Sequence, residues 1–272
     1  MKITIFGLDK RFDYAARALT DHGYQTARYA EGVELSPVLL LPLPASRDGT
    51  AVTGYPSVPL SLLLAARPRA IVGGNLSGGF ISAARRAGIA VRDYMDVEAF
   101  VLKNASLTAE AALGILLSDS PAAPRENPTA ILGFGRIGKF LCRGLLSLGC
   151  PVTVFARDPR ERVMATLIGA KAYDTKTLAA PGALRGFRTL VNTVPARLLS
   201  HESLRDLPAG SLVLELASGD GNLPLPLPES GVIFRREGGL PGRVFPESAG
   251  IALGETVSDL IRELFPEGVG KQ

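Results

Sequence analysis

Apolar residues fall in short runs along this chain, and between the runs apolar positions recur three and four residues apart. The first pattern predicts buried strands and the second amphipathic helices; their alternation predicts parallel sheets with helical crossovers. Strands are expected at 2–6, 25–29, 38–41, 70–72 and 90–92, then at 130–132, 152–156, 171–173, 189–192, 212–216 and 232–234. Helices are expected at 12–22, 60–66, 82–87, 98–104, 108–117, 136–148 and 251–264. Thr108 is read as the N-cap of its helix and Glu110 as a first-turn acid. Ser120–Pro128 carries three prolines and reads as a linker. The expected fold is therefore α/β with two domains and a cleft between them. Residues 1–120 form a smaller flavodoxin-like or degenerate Rossmann domain, and 121–250 form a Rossmann dinucleotide-binding domain. The final helix, 251–265, is expected to pack back on the first domain.

One turn carries most of the chemistry. Gly133-Phe134-Gly135-Arg136-Ile137-Gly138 follows a strand and opens a helix, with the next strand at the βαβ distance. Gly133 turns tightly off the strand. Gly135 lets backbone approach a pyrophosphate, and Gly138 lets the helix pack close to the sheet. The pyrophosphate would sit on the free amides and positive dipole end of the helix. The corresponding turn of the first domain, Gly7-Leu8-Asp9-Lys10-Arg11, lacks the later glycines and is not read as a second dinucleotide site.

The residue after the second Rossmann strand bears on the cofactor. A dinucleotide site for NAD usually places an acid there; this chain has Arg157, followed by Asp158 and then Arg160 and Arg162. A guanidinium suits a 2′-phosphate, so NADP is expected, with NAD(H) as the alternative because Asp158 could reach the ribose. Three loops are expected at the nicotinamide end: Asn192-Thr193-Val194-Pro195, the loop from Ala217 and Ser218, and the loop containing Leu240 and Pro241. In the first domain, Ser46 and Arg47 lie beyond a strand's carboxyl end, the edge where open α/β sheets bind ligands.

Composition narrows the class. The chain has 272 residues, 46% of them hydrophobic, enough for a full core. No run approaches the roughly 18 uninterrupted apolar residues of a membrane span, and the start reads as a strand and not as a signal peptide. A cytosolic protein is expected. Cys142 and Cys150 are too few for a disulfide framework, and no metal-ligand spacing appears. The net charge of +4 is scattered, without a nucleic-acid-binding motif. The arginines suit an anionic cofactor or a dicarboxylate.

Several motifs together resemble the A-subunit family of dipicolinate synthase, of bacterial endospore formation. They are Leu41–Gly49, Asp93-Tyr94-Met95, Asn104–Glu110, Gly133–Gly138, Asn192–Pro195, Leu214–Ser218 and Gly239–Gly250, and the resemblance covers nearly the whole chain. It departs from the family pattern at Ser106-Leu107, at Ala111 and at Gly219-Asp220-Gly221. The resemblance implies NADP-dependent oxidation of dihydrodipicolinate to pyridine-2,6-dicarboxylate in the mother-cell cytoplasm of a spore former. It also implies a partner, the flavoprotein-like B subunit; a homo-oligomer is left open. Under it, Ser46, Arg47, Ser218 and Arg243 would bind the two carboxylates, with hydrogen bonds from Asn104 and Thr108. Asp93, Glu110 and Glu215 are the candidate bases, and water could also take the proton. The alternatives are a two-domain 2-hydroxyacid or alanine-type dehydrogenase, and an NADP(H)-binding regulatory subunit without turnover of its own.

Overall fold

The central runs of β-branched residues and leucine form fully buried parallel strands, as expected where helices cover the faces of a sheet, while the outer strands are partly exposed. The computed structural model describes residues 1–219, 223–224 and 231–266. Two compact units appear: Met1–Asn104 together with the chain from Pro241, and Ala105–Leu240.

In the first unit the elements run β1 (Lys2–Ile5), α1 (Arg11–Asp21), β2 (Gln25–Arg28), β3 (Val38–Leu40), β4 (Ala51–Val52), β5 (Tyr55–Pro59), α2 (Leu60–Ala65), β6 (Ala70–Gly73), α3 (Gly78–Arg86) and β7 (Ala90–Asp93). The main sheet is parallel in the order β2-β1-β3-β6-β7. With the small β4–β5 hairpin set aside, this is the flavodoxin-like order. Alternation along the strands divides the core between two faces. Ile3, Ile5, Val38 and Leu40 lie in one cluster, and Leu39, Leu41, Ile71 and Phe80 in the other.

The chain leaves this unit through α4 (Glu98–Asp119). The second unit runs β8 (Thr129–Leu132), α5 (Arg136–Ser147), β9 (Val152–Phe155), α6 (Pro159–Leu167), β10 (Lys171–Tyr173), β11 (Thr189–Asn192), α7 (His201–Arg205), β12 (Leu212–Glu215) and β13 (Ile233–Arg236). Among the described residues its sheet is all parallel, in the order β10-β9-β8-β11-β12-β13, which is the Rossmann order. The two-domain α/β expectation is met in fold class.

The last elements are α8 (Leu240–Val244) and α9 (Pro246–Leu264). Leu253, Val257 and Ile261 of α9 join the cluster of Ile3, Phe12 and Leu19 in the first unit. Small residues set this helix pair: a Cβ at Gly250 would lie 2.3 Å from the Arg11 carbonyl oxygen, and one at Gly254 2.7 Å from the Ala18 Cβ.

Two differences from the sequence reading concern α4. Residues 98–104 and 108–117 form one helix and not two, so Thr108 is a buried mid-helix residue and not an N-cap. The division between the units falls at Asn104/Ala105 inside α4, whereas the sequence reading puts it at 120/121 in the proline-rich stretch. A continuous helix needs no linker where the chain changes unit. Among the described residues α4 alone is long and apolar enough to cross a membrane by length and composition, with 44% of its apolar window buried in the protein.

Candidate functional site

At the carboxyl end of β8 the three glycines do three separable things. Gly133 has φ +91°, in the left-handed region that favours glycine, and its amide donates to the Phe155 carbonyl at 2.9 Å. A Cβ on Gly138 would lie 2.4 Å from the Gly133 carbonyl oxygen, so the first turn of α5 rests directly on the strand end. Gly135 is different: a Cβ there would meet nothing within 4 Å. It occupies the N-cap of α5 with no side chain capping the helix. The N-cap position itself supplies no side chain to the first turn of α5, and the helix dipole lies behind that turn. Phe134 points inward and is buried.

The neighbouring loop belongs to β11, where the strand order reverses. This is the topological switch point at which open α/β sheets bind ligands. The Thr193 hydroxyl donates to the Leu132 carbonyl at 2.8 Å, and Val194 lies against Gly133. The buried Asn192 amide donates to both oxygens of Glu215 at 3.0 Å and to the Val194 carbonyl. Glu215 is itself buried and accepts from the Ala217 amide at 2.9 Å. It ties the loop after β11 to the loop after β12. Ala217 is half-buried and Ser218 exposed, and the departure at Asp220-Gly221 lies outside the described residues. Leu240 and Pro241 open α8 and are buried, whereas Arg243 on the same helix is exposed.

At the end of β9 the basic and acidic residues take different tasks. Arg162 donates to the Ala156 and Arg157 carbonyls at 2.8 and 2.7 Å and pairs with Asp174 at 3.0 Å, which fixes the turn. Asp158 caps α6 by accepting from the Arg160 amide at 2.8 Å. The guanidiniums of Arg157 and Arg160 are exposed and hold no hydrogen bond or ion pair among the described residues.

In the first unit, Ser46 and Arg47 edge a hollow of about 330 Å³ that Asn75, Leu76 and Phe80 also line. Asp48 folds the loop by accepting from the Thr50 and Ala51 amides, which hold its carboxyl below the usual range. Asp93 accepts from the amides of Asn75 at 3.1 Å, Leu76 at 2.6 Å and Met95 at 2.8 Å. Its oxygens hold the loop after β6 against the end of β7. Asn75 and Ser77 escape the sequence reading as lining residues because their glycine-rich loop has the wrong spacing for a phosphate loop. The readable signal is Ser77, which caps α3 through the Phe80 amide.

The α4 candidates are spread along that helix. Asn104 is half-buried and Thr108 buried. Glu110 is exposed and accepts from the Ser106 hydroxyl at 2.9 Å. The three candidate bases thus differ: backbone amides donate to Asp93 and Glu215, and a side-chain hydroxyl to Glu110. His22 contacts Arg262 at 3.2 Å, and His201 opens the short α7.

The chain thus holds a parallel Rossmann sheet with a glycine turn at its switch point and, in its other unit, a flavodoxin-like sheet, a fold that dehydrogenases of known structure share. One protein of this fold, the D-lactate dehydrogenase from Lactobacillus jensenii solved with NAD+, superposes with a TM-score of 0.56 at 11% identity, covering 99% of this chain and 98% of that one. The more particular likeness is to the dipicolinate synthase A subunit. That of Bacillus subtilis (strain 168) is 28% identical over 165 residues, 60% of this chain and 55% of that protein, so the match spans about half the relative's length. The crystal structure of the dipicolinate synthase A subunit from Bacillus halodurans superposes with a TM-score of 0.82 at 20% identity, covering 96% of this chain and 97% of that one. This is the resemblance read from the motifs. No family model matches the chain.

Proposed function

We propose that this chain is an NADP-dependent oxidoreductase that works as the A subunit of a dipicolinate synthase, oxidising dihydrodipicolinate to pyridine-2,6-dicarboxylate. The observation that carries the reading is the turn at Gly135, the N-cap of α5, where among the described residues an added Cβ would meet nothing within 4 Å. The similarity to the Bacillus subtilis protein supplies the reaction.

The residues fit a dinucleotide. The amides of Gly133–Gly138 would hold its pyrophosphate. Arg157, with Arg160 beside it, would take a 2′-phosphate, which sets NADP above NAD. The loop Asn192–Pro195, held by Glu215, would orient the nicotinamide half, with Ala217, Ser218, Leu240 and Pro241 as further contacts. When bound, the nicotinamide ring supplies a hydride acceptor. The chain then has to hold a ring C–H in place and let one proton leave, because aromatisation drives the reaction. Arg47, Ser46, Arg243 and Ser218 are the carboxylate ligands in this reading, with Asn104 and Thr108 as hydrogen-bonding groups. Glu110 is the base, or water in its place; Asp93 and Glu215 serve as struts because backbone amides already occupy them. The protein acts in the mother-cell cytoplasm, and its partner is the flavoprotein-like B subunit.

The likeness to D-lactate dehydrogenase supports a second reading, a 2-hydroxyacid dehydrogenase. That chemistry calls for a histidine paired with an acid, and His22 instead contacts Arg262. A coupled assay separates the readings. Dihydrodipicolinate synthase generates the substrate in place, and dipicolinate is followed by its ultraviolet absorption with NADP+, with and without the B subunit. Dipicolinate formation that depends on this chain is the expected result. No product with both subunits and cofactor present overturns the reading.

A further inference from the structure

One wall of the hollow in the first unit is a loop whose left-handed residue is not a glycine. From Gly73 to Gly79 the chain carries four glycines, yet the one residue there with positive φ is Asn75, at +55°. Glycine takes that conformation without steric cost, so a side chain at this point comes against the backbone's preference. Other groups hold the loop in place. The Asn75 and Leu76 amides donate to Asp93, and the Gly74 amide donates to the Pro42 carbonyl at 3.3 Å. The Gly74 carbonyl accepts from the Ala45 amide at 2.7 Å, which ties this loop to the one carrying Ser46 and Arg47. None of these bonds uses the Asn75 carboxamide.

The lining of the hollow says what it would take. Arg47, Asn75 and Ser77 supply its polar side chains, and Leu60, Leu76 and Phe80 its apolar ones. Among the described residues the Arg47 guanidinium and the Asn75 carboxamide have no partner. The Ser77 hydroxyl accepts from the Phe80 amide and keeps its hydrogen to donate. Ser46 differs: its hydroxyl already donates to Asp48 at 3.1 Å and accepts from the Gly49 amide at 3.0 Å. Asp48 and Asp93 accept from backbone amides, and neither lines the hollow. A guanidinium with neutral donors beside it and an apolar lining suits a carboxylate carried on a flat apolar ring. We propose that Asn75 is a specificity-determining ligand of one substrate carboxylate, donating its side-chain N–H to an oxygen of the group whose charge Arg47 offsets. This inference rests on the dipicolinate reading above and adds to it the residue that recognises the anion.

The test uses the full chain, with pyridine-2,6-dicarboxylate as the ligand in calorimetry and the coupled assay for turnover. Asn75→Gly removes the carboxamide and suits the left-handed backbone, so the unfolding midpoint should hold. Product should bind about tenfold more weakly, and the rate should fall about tenfold at low substrate and recover at high substrate. Asn75→Asp keeps the shape but sets a carboxylate against a carboxylate, and should weaken product about 100-fold. Wild-type affinity and rates in Asn75→Gly, from a chain that forms dipicolinate, overturn the role of Asn75 and leave the activity standing. A loss in Asn75→Asp no larger than in Asn75→Gly also overturns it, because no anion then lies beside the residue. A wild-type chain that neither binds nor forms dipicolinate overturns the inference and the reading beneath it together.

Discussion

Each unit opens with a parallel strand, a glycine turn and a helix, yet the two turns have opposite characters. After β8, Gly135 leaves the start of α5 without a capping side chain. After β1, the corresponding space is filled by the chain itself. Asp9 accepts from the Arg11 amide at 3.0 Å and pairs with the buried Arg11 guanidinium at 2.8 Å. The Gly7 carbonyl accepts from Arg28, and the Gly7 amide donates to the Tyr55 hydroxyl. A Cβ on Gly7 would lie 2.3 Å from the Phe12 ring. The first helix is thus neutralised by its own carboxylate, whereas the second is the one proposed above to receive the dinucleotide's pyrophosphate. Sheet topology places a turn at a switch point, but side chains within the turn decide whether it can hold a phosphate.

The sharpest way to break this contrast is Gly135→Val. A side chain there has room, so the unfolding midpoint should stay put, while NADP+ affinity falls about 100-fold, near 2.7 kcal/mol. Calorimetry and thermal unfolding on one sample read both. Gly138→Ala should behave differently, because its Cβ meets backbone. It should cost about 1–3 kcal/mol of stability in a urea titration and weaken the cofactor as well. On the other side of the comparison, Asp9→Ala should cost about 1–2 kcal/mol by removing the acceptor of the Arg11 amide and the partner of its guanidinium. It should create no second cofactor site, and a stoichiometry of two nucleotides per chain would show that Asp9 alone closes the turn. Arg157→Ala should weaken NADP+ about tenfold and leave NAD+ nearly unchanged. Equal loss of both cofactors would remove the 2′-phosphate role.

A separate effect appears only in alkali and concerns the helix behind the glycine turn. Burial on α5 raises the Cys142 thiol from 9.0 to about 12. Between those values the unfolded chain releases a proton that the folded chain keeps, so stability should fall as pH rises from 9 towards 12 and be unaffected below. Cys142→Ala should make that part of the curve shallower, with the buried Cys150 thiol still contributing.

The Rossmann half is the more legible in sequence. The strands at Lys171–Tyr173 and Thr189–Asn192 fall where periodicity places them, and the glycine spacing marks the turn. Local chemistry misleads elsewhere. Asn104, Ser106 and Thr108 look like a break with a cap, but Ser106 bonds Glu110 one turn on and Thr108 is buried, so α4 continues. The β4–β5 hairpin, turning at Thr53-Gly54, escapes notice because β4 is two residues long and β5 carries two prolines. The loop before the last helix hides α8 and the first turn of α9, because Pro241, Pro246 and several glycines read as breakers although proline is tolerated in a first helical turn. The roles of Asp93 and Glu215 cannot be read from sequence at all. Each accepts one local amide, from Met95 and Ala217, but Asn75 and Leu76 for Asp93 and the Asn192 side chain for Glu215 come from elements that only the fold brings to them.

Everything proposed for the reaction depends first on where the dinucleotide sits. A calorimetric titration of NADP+ into wild type and Gly135→Val, with their unfolding midpoints, measures that. One NADP+ per wild-type chain, and about 100-fold weaker binding to an equally stable variant, is the predicted result. Wild-type affinity in the variant, or no binding to either protein, would contradict it.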